Sequence, residues 1–189
     1  QRQMCIRDSL SAYRTGAIPG VGAKYLAPKH ARVCGICGPG VMGKSSLSAI
    51  VATCPGIREV KVKGRGKKSL EAFVEYVKKT YPHLERVEAV ETVEELIRDT
   101  DIAAFTNSGG TDPSTYPFVK GEWIKPGALI IGVSCFDMDA EFMKAHTTLV
   151  VDNMQLYEAW AEEFPYPSFG ANNIIGSKFT DMVLSLIHI

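Results

Sequence analysis

Arg32-Val33-Cys34-Gly35-Ile36-Cys37-Gly38-Pro39-Gly40-Val41-Met42-Gly43-Lys44-Ser45 is the stretch on which the fold turns. A short apolar run over residues 32–37 reads as a strand, and it meets a glycine turn. Beyond the turn Leu47, Ile50 and Val51 fall at i, i+3 and i+4, the spacing of one helix face. Residues 59–63 (EVKVK) alternate and predict a second strand. Leu70, Phe73, Val74 and Val77 then share the face of a helix that Ser69 can cap, that Lys78 and Lys79 close and that Pro82 stops. A third strand is expected at residues 87–90, after which Thr92-Val93-Glu94-Glu95 forms a capping box for a helix carrying Leu96 and Ile97. Strands follow at residues 101–107, 128–134 and 148–152, with helices near 139–145 and 154–163. Upstream, residues 13–27 read as a short helix, or one broken around Pro19-Gly20. Strands alternating with helices at this spacing predict right-handed crossovers and an α/β fold with a mostly parallel sheet.

Composition narrows the function classes. The 189 residues carry 21 basic and 21 acidic side chains, a balance that argues against a nucleic-acid partner. Apolar runs such as residues 127–133 and 149–151 fall far short of the ~20 residues a membrane span needs. Five cysteines without regular spacing do not make a disulfide framework, so a cytoplasmic setting is expected. Residues 1–9 (QRQMCIRDS) and 184–189 (LSLIHI) resemble translated sequencing-adapter bases and are set apart as foreign flanks. On that reading the natural protein continues past both ends. Residues 10–30 then link from an absent substrate domain, residues 31–165 form the cofactor domain, and residues 166–183 begin the return.

The glycine turn satisfies two motifs. As G-x-G-x-x-G, Gly38, Gly40 and Gly43 permit a tight turn, close approach of a pyrophosphate, and tight helix–strand packing. As G-x-x-x-x-G-K-S the loop is a P-loop, with Lys44 reaching phosphates, Ser45 holding magnesium, and Asp152 available as the metal-binding acid. The dinucleotide reading requires a ribose-binding position about 20 residues or more downstream, and the second strand ends there, at Lys63-Gly64-Arg65. An NAD site would carry Asp or Glu at that place. Here Gly64 stands instead, followed by Arg65, Lys67, Lys68 and Ser69. A missing carboxylate removes repulsion of a 2′-phosphate and clustered cations neutralise it, so NADP is expected over NAD, although a lone basic pair is more often a solvated turn.

The chain also resembles the ornithine cyclodeaminase/μ-crystallin family. The matching residues are Arg14-Thr15-Gly16-Ala17, Ala23-Lys24-Tyr25-Leu26-Ala27, Asp101-Ile102, Phe105-Thr106-Asn107-Ser108, Lys125-Pro126-Gly127-Ala128-Leu129-Ile130 and Val150-Val151-Asp152-Asn153, in the family's order across residues 13–183. The resemblance tips the glycine turn toward dinucleotide binding and implies a Rossmann-type doubly wound domain, with truncated remnants of a substrate and dimerisation domain. It implies a homodimer acting on a small amino-acid or imine substrate, by hydride exchange at the α-carbon. By resemblance, Arg14 holds the substrate carboxylate, Thr15, Gly40 and Val41 sit near the pyrophosphate, and Thr106 lies near the adenosine or ribose. Ile131, Gly132 and Val133 line the nicotinamide pocket on the same ground, though core packing is the commoner fate of such residues.

In cyclodeaminases an Asp follows the Pro-Gly strand. Counted from Pro126-Gly127 that place falls on Phe136, and Asp137, one residue later, is the displaced acid/base candidate, with Asp139 three places on. The mismatch suits a reductase at least as well as ornithine cyclodeamination, and a non-catalytic NADP(H)-dependent binder is the rival from another class. No metal site is expected. Cys34 and Cys37, three apart in a strand, point to opposite faces, and Cys54, Cys135, His30, His83, His146 and His188 are scattered.

Overall fold

Pleat alternation in β1 (Val33–Cys37) sets the two layers of the fold. Cys34 and Ile36 face one way, into a core shared with Leu47 and Ile50 of α2 (Val41–Thr53), Val60 and Val62 of β2 (Glu59–Lys63), and Phe73 and Val77 of α3 (Lys67–Thr80). Cys37 faces the other way, toward Leu96 and Ile97 of α4 (Val93–Ile97). β3 (Arg86–Ala89) lies outside β2, and β4 (Ile102–Phe105) divides its side chains as β1 does, Ile102 and Ala104 to the first core and Ala103 and Phe105 to the second. β5 (Phe118–Val119), β6 (Leu129–Gly132), β7 (Asp137–Met138) and α5 (Ala140–His146) complete the elements of this computed structural model, which describes residues 2–108 and 113–150. All neighbours in the five-stranded sheet, ordered β3-β2-β1-β4-β6, are parallel, and β5 and β7 pair separately. This is the Rossmann-type α/β architecture expected.

Local chemistry explains the elements. In β2, Val60 and Val62 are buried while Lys61, on the opposite face, donates to the carbonyls of Glu95 and Arg98 at the end of α4 (3.2 and 2.6 Å). The Thr92 hydroxyl accepts from Glu95 N (3.1 Å), and the Glu95 carboxylate reaches back to Glu91 N (2.9 Å), one residue beyond the position of a standard capping box. Cys34 and Cys37 do lie in opposite cores. Burial pushes their thiols up to about 12 and about 11, so neither is a nucleophile at neutral pH.

Three expectations need correction. Ser69 does not cap α3: the helix starts at Lys67 with Gly66 as N-cap, and the Ser69 hydroxyl donates to Gly66 O (2.7 Å). Residues 13–27 are not a short or broken helix. Residues 13–26 belong to α1 (Arg2–Leu26), which also runs through residues 2–9 of the flank set apart, and Ala27 follows its end. Pro19 is accommodated because α1 lies flush on α2: Cβ atoms on Gly16 and Gly20 would stand 2.3 Å from Ser45 Oγ and 2.6 Å from Ala49 Cβ, so packing overrides the lost hydrogen bond. Finally, residues 148–150 form no strand; the rest of that segment, the helix near 154–163 and the domain limits beyond residue 150 lie outside the described residues.

At the amino end of the sheet Asp101 is buried, and its carboxylate accepts from Arg32 N (2.9 Å), Val33 N (3.0 Å) and Lys125 Nζ. Lys125 precedes a turn in which Ala128 N donates to Lys125 O (3.0 Å) with Gly127 at φ +79. Two sequence motifs, Asp101-Ile102 and Lys125-Pro126-Gly127, therefore form one clasp joining the starts of β1, β4 and β6. Burial alone would raise the Asp101 pKa; the hydrogen bonds from Lys125 and from the two amides outweigh it and hold the carboxyl below its ordinary value. A carboxyl depressed on folding adds stability that is complete above its unfolded pKa of about 4 and is lost as pH falls through the folded value. Asp101→Ala is expected to lower unfolding free energy at pH 7 by about 2–3 kcal/mol, and to flatten the acid limb of a urea-denaturation series below about pH 4.

Candidate functional site

The order β3-β2-β1-β4-β6 reverses direction between β1 and β4, and a crevice opens at such a point beyond the carboxyl ends of the strands. The loops after β1 and β4 meet there. Gly38 has φ +110, and its amide donates to Lys63 O (2.8 Å). A Cβ on Gly38 would stand 2.6 Å from the Thr106 carbonyl and from Asn107 N. A Cβ on Gly43 would lie 2.2 Å from Gly38 O and 3.1 Å from Ile36 Cγ2, so α2 packs directly on the turn. Gly40, the extended N-cap of α2, differs: a Cβ there would meet no protein atom within 4 Å. Two glycines are demanded by the fold, and the one between them faces open space.

That space suits an anion. The amides of Val41, Met42 and Gly43 have no acceptor within α2, whose first bond runs from Lys44 N to Gly40 O (3.1 Å), and the helix dipole adds positive potential. The P-loop alternative fits poorly. α2 already includes Lys44, whose ammonium lies 4.5 Å from the centre of the Tyr76 ring on α3, and the Ser45 hydroxyl donates to Met42 O (3.1 Å). Neither side chain is turned to the loop.

Thr106 is buried, with its hydroxyl within hydrogen-bond distance of Cys37 O (3.1 Å) and Gly38 O (2.9 Å). It fastens the turn from beneath. Asn107 was not singled out as a site residue above. Its Nδ2 donates to Cys135 O (3.1 Å), joining the loops after β4 and β6, while its Oδ1 is buried and has no partner among the described residues. A buried acceptor left unpaired costs about 1–3 kcal/mol, so this oxygen offers a place for a ligand donor.

The other sequence candidates surround this crevice at different distances. Gly132, paired with Phe105, and Val133, whose amide donates to Phe105 O (3.1 Å), lie beside the end of β4, with Ile131 one position earlier. Arg65, Lys67 and Ser69 are exposed at the end of β2 and the start of α3, next to the turn through the Gly64–Pro39 contact. Gly16 and Gly20 of α1 meet Ser45 and Ala49 of α2, while Arg14 is exposed and Thr15 half-buried on the same helix. Asp137 stands apart. Its amide donates to Pro117 O (2.9 Å) and its Oδ1 accepts from Met138 N (2.8 Å), and no contact with Arg14 is found among the described residues. Phe136 stacks on Phe105 with ring centres 4.7 Å apart, and Asp139 caps α5 by accepting from Phe142 N (2.8 Å). Among the described residues there is no His/Cys/Asp/Glu cluster able to hold a metal and no helix long and apolar enough to cross a membrane.

Comparison with known proteins gives a consistent result. Residues 4–165 match the ornithine cyclodeaminase/mu-crystallin family. The ketimine reductase mu-crystallin of Macropus fuliginosus is 31% identical over 151 residues, covering 77% of this chain and 44% of the relative. The Thermococcus litoralis Δ1-pyrroline-2-carboxylate reductase, solved with NADH and L-proline, is 31% identical with a TM-score of 0.54, covering 68% of this chain and 35% of that one. An archaeal alanine dehydrogenase dimer with bound NAD is 27% identical with a TM-score of 0.64, covering 82% of this chain and 48% of that one. The chain thus spans less than half the length of these relatives.

The contrast between the glycines is testable by thermal unfolding. Gly43→Ala, which drives a Cβ into Gly38 O, is expected to destabilise by about 2–3 kcal/mol. Gly40→Ala, with open space before it, should stay within about 1 kcal/mol of the parent.

Proposed function

Because the chain belongs to the ornithine cyclodeaminase/mu-crystallin family, we propose that it is the cofactor-binding portion of an NAD(P)-dependent enzyme acting on a small amino acid or its imine. The observation that carries this reading is the unobstructed Gly40 between Gly38 and Gly43, at the point where the sheet reverses. The amides of Val41, Met42 and Gly43, with Gly40 between them and the turn, cradle the pyrophosphate, and Thr106 keeps the turn rigid through Cys37 O and Gly38 O. When bound, the nicotinamide supplies hydride chemistry at the substrate's α-carbon.

The chain's own residues orient and clamp. Arg14, exposed on α1, holds the substrate carboxylate through its planar fork, and Thr15 joins Gly40 and Val41 near the pyrophosphate. Ile131, Gly132 and Val133 border the nicotinamide, and Asn107 Oδ1 accepts a ligand hydrogen bond. Asp137 remains the acid/base candidate. The place at which a cyclodeaminase carries its Asp is filled by Phe136 stacked on Phe105, which favours reduction or dehydrogenation over cyclodeamination. A homodimeric full-length protein follows from the same family reading.

NADP is the preferred cofactor in this proposal. Supporting it are the glycine at position 64, the absence of acid from the first turn of α3, and Arg65, which forms no ion pair among the described residues. Fluorescence titration of the full chain is expected to show quenching by NADPH and none by ATP–magnesium. Arg65→Ala should weaken NADPH binding about tenfold, as loss of one exposed charge-assisted contact implies, and leave NADH unchanged. Tighter binding of NADH than NADPH by the parent protein would refute the preference.

A further inference from the structure

Gly64 is not a glycine for conformational reasons, since its φ lies outside the left-handed region; among the described glycines only Gly38 and Gly127 have positive φ. Its neighbour is the reason. A Cβ on Gly64 would stand 2.6 Å from Pro39 Cδ and 2.7 Å from Pro39 Cγ, with Leu70 Cδ2 at 3.3 Å. Non-bonded carbons do not approach so closely, and the ring cannot swing aside, because proline Cδ is bonded to the backbone nitrogen of the turn. The turn cannot retreat either. Gly38 N is tied to Lys63 O (2.8 Å), Thr106 Oγ1 sits on Gly38 O (2.9 Å), and Gly43 packs on the same carbonyl. As long as residue 39 is proline, residue 64 has no room for a side chain of any kind.

Position 64 is the end of β2, where a carboxylate would grip the ribose 2′-hydroxyl of an unphosphorylated dinucleotide. We propose that Pro39 is a specificity-determining residue: by filling the Cβ space of residue 64 it excludes a ribose-binding carboxylate and commits the site to a dinucleotide carrying a 2′-phosphate, with Arg65 as the adjacent cation. This rests on the dinucleotide reading above and deepens it. Selectivity is written into the turn as a steric exclusion, and the basic residues at 65, 67 and 68 act in the space it protects. An acidic residue at position 64 would both pair with the 2′-hydroxyl and repel a 2′-phosphate, so removing the possibility of one acts on both cofactors in opposite directions.

The test is a double-mutant cycle on the full chain, with Pro39→Ala, Gly64→Asp and the two combined. Melting temperature is read without ligand, and NADPH and NADH affinities are read by fluorescence titration. Gly64→Asp alone should melt several degrees below the parent and bind both dinucleotides poorly. Pro39→Ala alone should melt near the parent and keep its NADPH preference, since Gly64 is still present. The double variant should regain most of the lost melting temperature and prefer NADH by about tenfold, a difference of about 1.4 kcal/mol. A Gly64→Asp protein that melts like the parent would show that room exists and overturn the exclusion. So would a double variant no more stable than Gly64→Asp. A double variant that regains stability yet still prefers NADPH would confirm the contact and overturn its role in selectivity. A parent that binds neither dinucleotide would overturn the underlying reading and the selectivity with it, while the ligand-free melting cycle would separately establish whether Pro39 closes position 64.

Discussion

The closeness of α2 to β1 is the constraint from which the carboxyl end of the sheet is built. Gly43 brings the helix onto Gly38 O, at a distance that leaves no space for even one methyl group. That contact sets where α2 starts, and hence where the amides of Val41, Met42 and Gly43 are presented. Gly38 can turn there because it tolerates φ +110, and Thr106 fixes the turn from the neighbouring strand. A single bulky side chain at Gly38 or Gly43 would separate helix, turn and strand together. The row of free amides is therefore a by-product of packing: they are free because the helix begins where it must.

The two ends of the sheet are handled by different physics. At the amino end, Asp101 and Lys125 clasp three strand starts with charge-assisted hydrogen bonds, and the carboxylate has every reason to stay ionised. At the carboxyl end there is no such ion pair among the described residues, and the cohesion is steric and main-chain. This division leaves the crevice rich in amides and short of competing carboxylates, which is the electrostatic environment an anionic ligand needs. It also separates stability from binding, since the residues that hold the sheet at one end do not touch the site at the other.

Much of this was legible in the chain. The strand–turn–helix opening, the alternation in EVKVK and the helix face of Leu70, Phe73, Val74 and Val77 each report a local periodicity, and each element formed in its expected place, although the last starts three residues earlier than a cap at Ser69 implies. Less legible were features set by contacts between distant segments. Ser69 looked like a cap, but Gly66 was free to serve, and the helix gained a turn's start from it. Pro19 looked like a break, but α2 lay close enough to hold α1 continuous. Asp101 and Lys125, 24 residues apart, appeared as two unrelated family motifs and proved to be partners.

The sequence by itself determined the α/β class, the position of the glycine turn and the absence of a carboxylate after β2, because these depend on residue type and short spacing. Only the tertiary structure decided which glycine faces open space and which are demanded by packing, that Lys44 lies over Tyr76 and away from the loop, and that position 64 is closed by Pro39. The physical reason is the same in each case. A side chain's role is set by the atoms that surround it, and segments 25 residues or more apart in the chain, as Pro39 and Gly64 are, acquire those surroundings only when the sheet assembles.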